Sequence, residues 1–261
     1  MRIPVWIVLL VAVAGALSGQ SEKGTSASIR SGALPADIDQ NSLNRLPVVK
    51  REQMDESGKR VYDHVAGGTG KTASPTGPAS IELYSPGAAE PLRLLNEYLR
   101  KPGNLLGNGI TELAILVAAR EGNSQYIWSA HEPTALKAGI AQPVIDAVKY
   151  NKDLSGAGEK ETVVVRMGRQ LLREHKLDSG TFAKAVELFG KQGTVEMVIL
   201  MGDYTLNGLL LDALDQHLPA DRKPLLPRVA PLGLAGCRIV IMSVIACAGS
   251  VSGEKYENDV S

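Results

Sequence analysis

Glu112-Leu-Ala-Ile-Leu-Val-Ala-Ala-Arg120, and after a short break Ser124-Gln-Tyr126-Ile127-Trp128-Ser-Ala-His131-Glu132-Pro133, decide how this sequence folds. From Leu113 to Ala119 every position is apolar, the pattern of a helix buried on most sides rather than of an amphipathic surface helix. Asn108 or Thr111 can cap its start. Gly122 and Asn123 interrupt it, and a second helix is predicted from Ser124 to Ala138, stopped by Gly139 at the usual position for a C-terminal glycine. On that second helix Ser124, Ile127 or Trp128, and His131 recur at intervals of three and four, so they share a face. Glu112 stands in the first turn of the buried helix, where the positive end of the helix favours its charge and where an unpaired carboxylate is costly. A short antiparallel return across Gly122 brings Glu112 toward His131. Such a pair either moves protons near neutral pH or is a structural pair of buried polar groups, and spacing alone leaves both open.

Outward from this centre the chain reads as all helix. A helix is predicted over Arg51 to Ala66, ending at Gly67 and Gly68, and a loop through Pro75 and Pro78 follows. Ser85 with Pro86 opens a helix to about Arg100, closed by Pro102 and Gly103. Pro143 starts a short helix to Tyr150. Further helices are expected over Glu161 to His175, Ser179 to Phe189 and Thr194 to Gln216. The run Val163 to Val165 is strand-like, but its flanks and the length of the pattern favour helix. Shifted by about 84 positions, Gly109 to Leu116 lies over Gly193 to Leu200 with matches at Gly, Glu, Ile and Leu, a short echo compatible with a duplicated half.

Composition limits function. The 261 residues are 44% apolar and 21% charged, ordinary for one globular domain. Lys and Arg total 28 against 28 Asp and Glu, so no net field draws the chain to nucleic acid. Arg2 followed by an apolar run from Val5 to Leu17 reads as a secretion signal over 1–19, the run being shorter than the roughly 20 residues of a membrane span. Residues 20–46 read as a polar linker, 47–226 as the folded domain, and 227–261 as an apolar tail without a clear physical account. The two cysteines, Cys237 and Cys247, lie in that tail and build neither a disulfide framework nor a zinc cluster.

Other motifs are blander. Gly67 to Thr72 imitates the end of a phosphate-binding loop, but the pattern's first glycine would fall on Val65, within a helix. His175 and His217 stand near helix C-termini, where a cation complements the backbone dipole.

Together, Glu112 to Arg120, Gln125-Tyr126-Ile127-Trp128, His131-Glu132-Pro133 and Lys137-Ala138-Gly139 resemble the signature of the carboxymuconolactone decarboxylase family. The likeness runs from about Arg51 through Leu218 and takes in Gly77-Pro78, Ser85-Pro86 and Gly202-Asp203-Tyr204. It implies an all-α, alkylhydroperoxidase D-like helical bundle in a single domain, assembled as a homo-oligomer, often a trimer or hexamer. In the alkylhydroperoxidase-like branch a redox Cys-x-x-Cys is supported by Glu and His. Its thiol positions fall here on Ser124 and Ile127, and a serine forms neither sulfenic acid nor disulfide. The decarboxylase branch works without metal or organic cofactor on an acidic lactone. The resemblance gives His131 as proton donor, Glu112 as its orienting partner or base, Tyr126 with Ser124 as donors to substrate oxygen, and Trp128 with Ser124 as substrate-binding residues. Where many relatives have Tyr-Glu-Trp, this chain has Tyr126-Ile127-Trp128, one carboxylate fewer. The implied protein is an exported enzyme that performs decarboxylation or isomerisation of a small carboxylated molecule; the alternatives are a peroxidase of the alkylhydroperoxidase-like branch, against which the missing Cys-x-x-Cys counts, and a non-catalytic exported helical binding protein.

Overall fold

A computed structural model describes residues 34–227. The expected signal segment, most of the linker and nearly all of the apolar tail with both cysteines lie outside the described residues. The helices are α1 Glu56–Ala66, α2 Pro78–Glu82, α3 Pro86–Arg100, α4 Asn108–Glu121, α5 Gln125–Lys137, α6 Gln142–Lys149, α7 Glu159–Arg169 and α8 Ser179–Ala213, with no strand among the described residues.

The apolar run from Leu113 to Ala119 is the centre of the molecule. Leu113, Ile115, Leu116 and Val117 are wholly buried on α4, and α5, α6, α7 and α8 pack around them. Each such side chain contributes about 1.5–3 kcal/mol of burial, so α4 is the common support of its neighbours. The closest approach is between α7 and α4, where a Cβ placed on Gly168 would come within 2.2 Å of Val117 Cγ1. Val163 to Val165 are buried on α7 as helix, as expected.

The predicted division of the last helical stretch holds: α8 is a continuous run, but Gly190 has φ 71° and ψ 172°, which separates it into two helical halves. By length and composition alone α8 is apolar enough to cross a membrane, and 56% of its most apolar window is buried inside the fold, as in a core helix.

Three boundaries are corrected. Pro75 to Pro78 does not lead on as a loop, because Pro78 sits at the first position of α2 and its ring suits that position. The first helix begins at Glu56, with Asp55 accepting from the Gly58 N–H at 2.7 Å. Arg51–Gln53 is a separate 3-10 turn, and Arg51 pairs with Asp63. Finally, the part of the expected linker near residues 37–46 is folded. Ile38, Ser42 and Asn44 are buried, and the polar composition that suggested solvent exposure serves internal bonds instead. Gln216 is the hub of these: its Nε2 donates to the carbonyls of Ser42 (2.9 Å) and Leu43 (3.2 Å), while its Oε1 accepts from Asn44 Nδ2 (3.0 Å) and Gly77 N (3.2 Å).

Candidate acid/base cavity

The short return across Gly122 places the first turn of α4 beside the middle of α5. Glu112 Oε2 and His131 Nδ1 are 2.7 Å apart, and Arg100 Nη2 from the end of α3 donates to Glu112 Oε1 at 3.2 Å. Burial pushes the Glu112 carboxyl up, but the His131 hydrogen bond and the charges of His131 and Arg100 outweigh it and hold the group below its usual range. An ionised carboxylate only accepts, so Nδ1 carries the hydrogen and Nε2 is the basic atom of the neutral ring. Nε2 has no protein partner among the described residues. The ring stands edge-on to Tyr204, with centroids 5.2 Å apart and planes at 89°.

His131 lines a cavity of about 340 Å³ walled by α2, α3, α5 and α8. Tyr126 lines it too, its hydroxyl donating to Thr76 Oγ1 at 3.0 Å. The Thr76–Gly77 loop fits tightly here: Gly77 has φ 96°, which favours glycine, and a Cβ on it would lie 3.0 Å from Tyr126 Oη. A larger cleft of about 410 Å³ also borders Glu112 and Arg100, but His131 does not line it.

Two carboxyl groups line the His131 cavity directly. Glu82 on α2 is pushed up to about 7 by burial and by the charge of Asp203, against the influence of Arg93. Asp203 on α8 is raised by burial, although Asn96 Nδ2 donates to it at 2.9 Å and Arg100 is near. Burial also pushes the Tyr204 phenol up to about 12. At neutral pH the site therefore contains an ionised Glu112 on the imidazole and a Glu82 close to half-protonated, a separation of roles suited to giving and taking protons.

Of the residues singled out in the sequence, Glu112, His131 and Tyr126 are brought together, and two are not. Trp128 is wholly buried and points away, its Nε1 donating to Glu132, whose other oxygen accepts from Lys149 Nζ at 2.7 Å. Its substrate-binding assignment is corrected: Ile127, the other residue at that helical interval, lines the cavity. Ser124 is 2% exposed, lies by Gly208 of α8 rather than along the cavity, and its hydroxyl has no hydrogen-bond partner. Glu82, Arg100, Asn207 and Arg222 line the cavity without having been singled out for chemistry. Among the described residues no three His, Cys, Asp or Glu groups converge as metal ligands.

No protein-family model and no curated protein matches the sequence. Among solved structures, an alkylhydroperoxidase AhpD-core, peroxidase-related protein from Ralstonia eutropha is similar at a TM-score of 0.54 and 12% identity, covering 69% of this chain and 94% of its own. This shows the chain to have the alkylhydroperoxidase D-like all-α fold. A debrominase solved with 2,3,4-tribromopyrrole follows at a TM-score of 0.48 and 12% identity, covering 67% of this chain and 91% of its own.

Proposed function

We propose that the protein catalyses proton transfer at carbon, in a decarboxylation or an isomerisation, on a small carboxylated molecule, and that it does so as an exported homo-oligomer. The observation that supports this most is the 2.7 Å contact of Glu112 with His131 Nδ1, which leaves Nε2 free in a cavity where Tyr126 and three arginines also stand. In an isomerisation neutral Nε2 takes a proton from a carbon next to an electron-withdrawing group, the electron pair moves into that group, and Nε2–H of the resulting imidazolium returns the proton at a different carbon, which shifts the double bond and restores the neutral ring. In a decarboxylation the carbon–carbon bond breaks, carbon dioxide leaves, and Nε2–H of the imidazolium protonates the resulting anion. Glu112 stabilises the imidazolium in both cases. The arginines favour an anionic ligand and the developing negative charge. Export is suggested by the N-terminal apolar run, and self-association by the family resemblance.

The experiment is a turnover screen of small unsaturated and lactone carboxylic acids, read by carbon dioxide release and by proton NMR in deuterium oxide. His131→Gln should lower the rate by about 10²–10⁴-fold, the usual contribution of a positioned acid or base, with helicity unchanged. Unchanged turnover removes His131 from the mechanism. Binding without any turnover supports the helical binding protein instead.

A further inference from the structure

The cavity contains two groups whose capacity for polar bonding is not used inside the protein. Asn207, on the second half of α8, is 7% exposed and lines the cavity, yet its side chain makes no hydrogen bond among the described residues and its Oδ1 is buried without a partner. Its Nδ2 also donates to nothing among the described residues and, unlike Oδ1, is not fully buried, so the donor end of the carboxamide is the one open to a ligand in the cavity. Arg222, on the segment after α8, also lines the cavity, with its guanidinium 5.0 Å from the centre of the Tyr126 ring. The other two cavity arginines are occupied, Arg93 by Glu97 at 2.8 Å and Arg100 by Glu112 at 3.2 Å. Arg222 makes no ion pair among the described residues, so it is the cation available to an incoming anion.

Resting on the proposed reading of this cavity, we infer that Arg222 and Asn207 form the subsite that holds the ligand's carboxylate, over the face of Tyr126. A guanidinium presents a planar set of donors that matches a carboxylate, and the amide NH2 of Asn207 supplies a further donor. The adjacent Tyr126 face keeps the guanidinium in place from below by a cation–π contact. This division leaves His131 and Glu112 for proton transfer and gives the segment after the last helix a direct part in ligand selection. The selected chemistry is an anion, because a neutral amide of the same shape leaves Arg222 without a countercharge.

The test is calorimetric titration of the full chain at pH 7 with matched acid and amide pairs, but-3-enoate with but-3-enamide and phenylacetate with phenylacetamide. Wild type is expected to bind at least one acid tenfold or more tightly than its amide. Arg222→Gln should abolish that preference, Arg222→Lys should restore part of it, and Asn207→Ser should weaken acid binding by about tenfold, in line with a lost charge-assisted bond. Thermal unfolding of each variant checks that it is folded. Binding of neither acid, no preference for acid over amide, or a preference that survives in folded Arg222→Gln overturns the inference. His131→Gln separates the two proposals: loss of acid binding there, with Arg222→Gln unaffected, places the carboxylate on the imidazole and overturns the subsite alone. If Arg222→Gln behaves as expected while His131→Gln keeps full turnover, the subsite stands and the proton-transfer reading falls.

Discussion

Glu82 and Glu112 are both partly desolvated carboxyl groups near one cavity, and their neighbours drive them in opposite directions. Glu112 is held ionised by the His131 hydrogen bond and by Arg100 against its burial; Glu82 is pushed up to about 7 by burial and then by the charge of Asp203. In the unfolded chain Glu82 titrates near 4.5, so the folded protein binds more protons than the unfolded one between that pH and about 7. Stability therefore falls as pH rises through this window. Glu82→Gln should be more stable than wild type by about 1 kcal/mol at pH 8, a figure reduced for solvent screening, and equal to it at pH 4. Urea unfolding at the two pH values measures this, and a difference independent of pH would remove Glu82 as its source. At this scale the sequence was partly legible. Glu112 and His131 could be paired because a helix start and a helix middle across a short turn leave few alternatives. The assignment to Trp128 rather than Ile127 fails because intervals of three and four both satisfy a helical face; the burial of Trp128 against Glu132 and Lys149 is a tertiary matter. Glu82 and Arg222 lie in segments whose Pro, Gly and polar composition gave no periodic pattern to read.

Among the elements, α4 carries the fold because its neighbours can approach it closely, and Gly168 sets the tightest of these approaches. A methyl group there meets Val117 at 2.2 Å, which packed helices relieve only by separating or by forcing Val117 off its rotamer. Gly168→Ala is expected to destabilise the protein by about 1–3 kcal/mol, the usual cost of overpacking a full core, despite alanine's better helix propensity. Chemical denaturation gives the value, and a gain in stability would show that helix propensity outweighs the clash. The helices themselves were readable from apolar spacing and from Ser, Pro and Gly at their ends. The exceptions have physical causes: α2 is too short for periodicity to show, and the Asp37 to Leu46 segment is polar because it bonds inward to Gln216 and to the backbone near Leu214.

At the scale of the whole molecule, Val195, Ile199, Leu206 and Leu209 are exposed along the second half of α8, spaced by four, seven and three residues. Gly202 lies at the middle of this row, with nothing within 4 Å of a Cβ placed on it. Steps of three, four and seven define a single apolar seam of the sort that packs against another helix, and the small residue at its centre permits close approach. Sedimentation should find wild type as a multiple of the chain mass and Ile199→Glu shifted toward a single chain. A wild type that sediments as one chain at high micromolar concentration would end the proposal of self-association.

Gln216 joins the two ends of the described chain to the loop that seats Tyr126, since the same oxygen accepts from Asn44 and from the Gly77 N–H. Peeling away either end therefore frees that amide, and its exchange with deuterated solvent is governed by end detachment rather than by motion of the loop itself. Fraying at a terminus thereby becomes a route by which the pocket loses its shape, well before the α4 core opens.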